Sequence, residues 1–163
     1  MKERILSMMA AVAIVAVSGV AHAAKPHAFD ARDSQEIKTL FLQQAAAATA
    51  HDIVAFERVF ASAAPGSPNS VTFVARAYQY WGKQAIVDHF KETFKGVWKF
   101  EPDPATVQVI PLSADTAEIY APTQITFGKS DDTAKTSPFL MCEIAIRTPQ
   151  GWRIASIIPV PAQ

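Results

Sequence analysis

The chain has 163 residues, half of them hydrophobic, with 15 basic residues set against 15 acidic ones. With no net charge and both signs interspersed, it offers neither a nucleic-acid footprint nor a polybasic patch for a membrane surface. Its one cysteine, Cys142, excludes an internal disulfide, so stability has to come from packing.

Residues 1–23 read as an export signal. Lys2 and Arg4 lead an apolar run from Ile5 to Ala21, and Ala21-His22-Ala23 puts small residues where a signal peptidase reads. Cleavage before Ala24 is expected, of bacterial type, giving a periplasmic or secreted protein with no membrane association afterwards. Retention as an anchor is the alternative, because the apolar run nearly reaches the length that spans a bilayer. The remainder is the size of one domain, and it contains no internal repeat of solenoid type.

Residues 24–32 form a polar leader, and residues 33–160 the domain. Asp33 followed by Glu36 has capping-box spacing, and Ile37, Leu40, Phe41, Ala45 and Ala48 recur at helical intervals. Gln44 is the one polar residue in that apolar face, and a buried amide needs partners. Asp52 caps a second helix with Ile53, Phe56 and Phe60 inward, ended by a Pro- and Gly-rich loop over 64–69. Val71 to Ala75 reads as a strand, and Tyr78-Gln79-Tyr80-Trp81 as an aromatic lead-in. Gly82 breaks the chain before a third helix, with Ile86, Phe90, Phe94 and Val97 on one face and Asp88, Lys91, Glu92 and Lys95 on the other.

From Thr106 onward the pattern is of strands: Thr106 to Leu112, Thr116 to Phe127, Phe139 to Thr148 and Trp152 to Ile158. Pro122 inside the second argues for an edge or a bulge, and Pro149-Gln150-Gly151 for a hairpin turn. Helices followed by an antiparallel meander give an α+β fold.

Helix, Ala50-His51-Asp52, second helix, short strand, Gly82-x-x-Ala85-Ile86-x-x-x-Phe90 and the closing Gly151-Trp152-Arg153-Ile154 together resemble the nuclear transport factor 2-like superfamily, which includes SnoaL-like polyketide cyclases and ketosteroid isomerases. The resemblance implies a cone: a strongly curved antiparallel sheet wrapped around about three N-terminal helices, with a pocket at the wide end. It also implies homodimers formed through the sheet. In ketosteroid isomerase-like members a first-helix tyrosine lies eight residues before the aspartate that opens helix two, and here that position is Gln44. Their general base lies nine residues before the glycine of the central helix, and here that position is Phe73. A third carboxyl, nine residues before the position of Trp152, is matched by Glu143.

Glu143 sits among apolar neighbours, Phe139 to Ile146. Facing a pocket, it would have its pKa raised by desolvation and serve as a proton donor; facing outward, it would pair with Arg147 or another basic residue. His89 is either an acid–base group on a pocket-closing helix or a half-buried helix histidine. Gln44, Tyr78, Tyr80, Trp81, Phe90, Trp98 and Tyr120 are the candidate lining of an apolar cavity, with core and sheet packing as the alternative. The histidines are scattered, no Cys-x-x-Cys pair exists, and no Gly-rich phosphate loop is present, so neither metal nor cofactor is expected.

The expectation is an exported SnoaL-like protein that binds a small apolar or aromatic molecule without clear catalytic machinery. An isomerase, dehydratase or cyclase using Glu143 and His89 is the alternative, and a protein-association module with a filled cone is the third reading.

Overall fold

The computed structural model describes residues 28–62, 71–76 and 78–162. The export signal, His27, most of the leader and the 64–69 loop lie outside them. Helix α1 (Ala31–Thr49) begins two residues before the expected Asp33. Asp30 and Asp33 share the capping spacing, and Asp30 takes the cap: its carboxylate accepts from the amides of Arg32 and Asp33 at 2.9 and 3.1 Å. Asp33 returns a bond to the Asp30 amide at 3.1 Å. Glu36, freed from that role, pairs at the surface with Arg32 at 2.8 Å.

His51 turns the chain at a positive φ of 55°. Asp52 then caps α2 (Ile53–Arg58) by accepting from the amides of Val54 and Ala55 at 3.1 and 2.9 Å.

Strands β1 (Thr72–Ala75) and β2 (Tyr78–Trp81) form an antiparallel hairpin, so the aromatic lead-in is itself a strand. Gly82, at φ 88° and ψ 149°, makes the break into α3 (Lys83–Thr93), a conformation that disfavours side chains. Its amide donates to the Val71 carbonyl at 2.8 Å, tying the start of the helix to β1. Val97 is not on the helix: α3 ends at Thr93, and β3 (Val97–Pro102) follows at once. The reason is Gly96, which approaches the Gly128 carbonyl so closely that a Cβ would not fit.

β4 (Gln108–Pro111), β5 (Thr116–Gly128), β6 (Lys135–Thr148) and β7 (Gly151–Pro161) complete a seven-stranded sheet in the order β2-β1-β7-β6-β5-β3, with β4 also on β5. The sheet is curved, unclosed and mixed: β1 and β7 are parallel, pairing Phe73 with Ile157, and the other pairs are antiparallel. Pro122 falls between the end of the β4 ladder at Tyr120 and the start of the β3 ladder at Thr123, where β5 is locally an edge.

Alternation assigns the faces. Ile119, Ala121 and Ile125 on β5, Met141, Glu143 and Ala145 on β6, and Ile154 and Ile157 on β7 are buried against the helices. The three-residue step from Ile154 to Ile157 follows from one extra residue in β7, a bulge opposite Ile144 and Ala145. Ile37, Phe41, Phe56, Phe60, Ile86 and Phe90 meet them from the helical side.

Candidate functional site

At the end of the β6–β7 ladder away from its hairpin, a cavity of about 680 Å³ opens between the sheet and α3. Phe73, Ala75 and Tyr78 of the first hairpin form one wall, His89 and Thr93 of α3 a second, and Trp98, Ile125 and Phe127 a third, with Phe139 and Pro159 beneath. Arg76, Lys95 and Lys129 stand at its edge. A recess of about 30 Å³, room for one or two waters, shares Phe73, Trp98, Ile125 and Pro159 with the cavity and is also lined by Phe90 and Gln44.

Glu143 lies beside Gln44 and is fully buried. Gln44 Nε2 donates to Glu143 Oε1 at 3.0 Å. Glu143 Oε2, Gln44 Oε1 and Trp98 Nε1 are buried with no hydrogen-bond partner. Burial with no cation at hand pushes the Glu143 carboxyl up to about 8, only partly offset by the bond from Gln44. At neutral pH Glu143 is therefore a neutral acid, able to donate as well as accept. Arg147 does not neutralise it: that guanidinium, four residues further along β6, is drawn to Asp33 at 2.7 Å and Asp115 at 3.2 Å.

His89 is elsewhere. Its ring lies on Tyr80 at 4.3 Å between centroids, with Phe73 and Tyr78 at 5.7 and 6.2 Å. Burial lowers its pKa, so the imidazole is neutral at pH 7. It lines the outer cavity but not the recess that reaches Gln44, so the two candidate acid–base groups do not converge.

Of the sequence-derived lining residues, Tyr78 and Trp98 border the cavity, and Gln44, Phe90 and Trp98 the recess. Tyr80 supports His89 from behind. Trp81 projects from edge strand β2, 52 % exposed, away from the cavity. Tyr120 lies on the outer face of the sheet, alternating with buried Ile119 and Ala121. The cationic edge was not foreseen, since Arg76 and Lys129 sit in turns without periodicity. Cys142 is likewise on the outer face, its thiol pushed up chiefly by burial, which disfavours a thiolate nucleophile. Among the described residues no three His, Cys, Asp or Glu side chains cluster as metal ligands, and no helix is long and apolar enough to cross a membrane.

A SnoaL-like domain model matches residues 37–158, from the first turns of α1 to β7, and so takes in both Gln44 and Glu143. The chain belongs to the SnoaL-like family. No curated protein matches this SnoaL-like chain in sequence. Among solved structures it is similar to a candidate aromatic ring hydroxylase from Novosphingobium aromaticivorans, with TM-score 0.70 and 19 % identity over 83 % of this chain and 92 % of that one. A candidate dehydratase of the NTF2-like family from Streptomyces avermitilis gives TM-score 0.68 and 16 % identity, over 80 % and 97 %. An NTF2-like superfamily protein from Salmonella enterica gives 0.69 and 16 %, over 81 % and 93 %. At these identities the likeness is one of fold. In this SnoaL-like domain the ring of Phe73 packs against His89 and Phe90.

Proposed function

We propose that this SnoaL-like protein is exported and binds a small apolar or aromatic molecule in the cavity beside α3, without clear catalytic machinery. The cavity carries the reading: about 680 Å³ lies in the range that encloses a drug-sized molecule, and its walls are mostly aromatic and aliphatic. That volume also argues against the association module, which needs a filled cone. The absence of a carboxylate between Val71 and Gly82 speaks against proton abstraction there. A homodimer through the sheet is part of the proposal, supported by exposed Ile158 and Val160 on the outer face, next to half-buried Leu140 and Ile144.

Calorimetric titration of the mature protein with two-ring aromatics such as 2-naphthol and 2-tetralone tests the site. Binding is expected, and Ala75→Trp, which fills the cavity, is expected to weaken it by tenfold or more, about 1.4 kcal/mol. No heat from any probe, or affinity indifferent to Ala75→Trp, refutes the site. Cell fractionation of the full-length chain and light scattering of the mature one test export and dimer: a cytoplasmic location or a monomer mass discards them.

One observation favours a second reading. Glu143 is a buried, protonated carboxyl with an unpartnered oxygen, hydrogen-bonded to Gln44, which lines a recess that shares four residues with the cavity. It could donate a hydrogen bond to a ligand carbonyl and promote enolisation. Exchange of 2-tetralone α-protons into D₂O that disappears in Glu143→Gln would support this chemistry, and exchange no faster than in buffer removes it.

A further inference from the structure

The cavity is not electrically neutral, although the chain is. Three cations line it, contributed by separate turns: Arg76 between β1 and β2, Lys95 between α3 and β3, and Lys129 after β5. One acid lines it, Glu92, and Lys95 holds both of its oxygens at 2.6 and 2.7 Å. Arg76 and Lys129 then face the cavity with no carboxylate in its lining to offset them.

Arg76 also adopts φ 53°, the left-handed region where glycine or asparagine would sit more easily. Deep in the site the polarity is different. The recess lined by Gln44, Trp98, Phe90 and Phe100 carries no charged residue, and its exposed surface is apolar. Phe127, Phe139 and Trp98 supply the apolar surface between the two ends.

We infer that the ligand is an amphipathic carboxylate, with its acid group held by Arg76 and Lys129 at the cavity mouth and its uncharged end directed toward Gln44. This rests on the cavity being a ligand site. A guanidinium fork matches a carboxylate with two parallel hydrogen bonds, and a flanking lysine adds a point charge. The apolar walls lower the local dielectric and strengthen both. The reverse orientation would bury an anion beside Glu143 with no cation near it, which is strongly unfavourable.

Matched pairs separate charge from shape: 2-naphthoate against 2-naphthamide, 6-hydroxy-2-naphthoate against its amide, and decanoate against decanamide, titrated into the mature protein at low and high salt. The acids are expected to bind about tenfold more tightly than their amides at low salt, with the margin shrinking at high salt. In Arg76→Gln/Lys129→Gln the acid-to-amide ratio is expected to fall to near one. Arg76→Gly is expected to lose most of the ratio while unfolding at a temperature no lower than wild type, because its backbone strain is relieved. Amides that match or exceed the acids, or a ratio that survives the double substitution, overturn the inference and leave the cavity reading intact. If neither acids nor amides bind, the ligand site itself falls and this inference with it.

Discussion

Helix α1 meets strand β6 through a buried carboxylate twice, and the two contacts are built in opposite ways. At the hairpin end Asp33, 3 % exposed, accepts from Trp152 Nε1 at 3.2 Å and Arg147 Nη2 at 2.7 Å, and the same guanidinium lies 4.5 Å over the Trp152 ring. Phe29 closes that cluster edge-on at 5.9 Å. Three turns along the helix, Glu143 has a neutral amide and no cation. The first carboxylate is stabilised as a charge, whereas the second avoids the cost of a buried charge by keeping its proton. Polar groups fully satisfied in this way fix a structure; polar groups left half-satisfied beside a cavity are where a fold departs from its own stability optimum. The hairpin end is thus a clamp, whereas the Gln44–Glu143 pair lies behind the recess that Gln44 lines.

Breaking the clamp is expected to have the largest effect. Asp33→Ala removes one partner of a mostly buried guanidinium, the acceptor for Trp152 Nε1 and one bond of the α1 cap. A loss of about 4 kcal/mol is expected by urea unfolding. A loss below about 1 kcal/mol would mean that Asp115 alone holds Arg147 and that the clamp is redundant.

Removing the proton switch on the other carboxylate gives the next effect, and its sign depends on pH. Glu143 titrates near 8 in the fold against 4.5 in an unfolded chain. Between those values the folded protein holds a proton that the unfolded chain has released, so stability falls as pH rises through this window and is level outside it. Glu143→Gln keeps an acceptor for Gln44 and cannot ionise. The variant is expected to match wild type near pH 4.5 and to exceed it by roughly 3 kcal/mol at pH 7, read from paired urea titrations. Parallel curves for the two proteins would show that Glu143 is charged in the fold.

How much of this was readable depended on whether a signal repeats along the chain. The three helices, the caps of Asp52 and Gly82 and the long strands after Thr116 carry periodic or turn chemistry, and each formed with bounds shifted by a few residues: α1 starts at Ala31, α3 stops at Thr93 and β6 starts at Lys135. Gln44 and Glu143 were singled out for the same reason, as polar residues interrupting apolar periods. Tyr120 was misplaced although Thr116, Glu118, Gln124 and Thr126 mark its face of the strand as outward, because its ring was weighed and its place in the alternation was not. β2 and β3 are short, and the residues between Gly82 and Val97 continue a helical pattern that only the tertiary contact of Gly96 with Gly128 cuts off. Arg76 and Lys129 were invisible because a charge in a turn looks the same whether it faces solvent or a cavity. Trp152 is a core residue, and its indole also anchors Asp33, a contact 119 residues apart that no local pattern encodes.

The smallest of these effects isolates the Gln44–Glu143 contact. Gln44→Met preserves volume but takes away the one donor to Glu143 Oε1, leaving a buried carboxyl without its partner. A loss of about 2 kcal/mol is expected, with the Glu143 carboxyl rising further because the Gln44 bond is what lowers it. Replacing both residues, Gln44→Met/Glu143→Met, removes the stranded group as well, so the double variant is expected to recover most of the loss, with a coupling of about 1–2 kcal/mol in the cycle. Full recovery in stability together with lost ligand binding would mark the pair as kept for the site. If the double variant is as unstable as the sum of its parts, the two side chains act independently, and the contrast with the Asp33 clamp rests on burial alone.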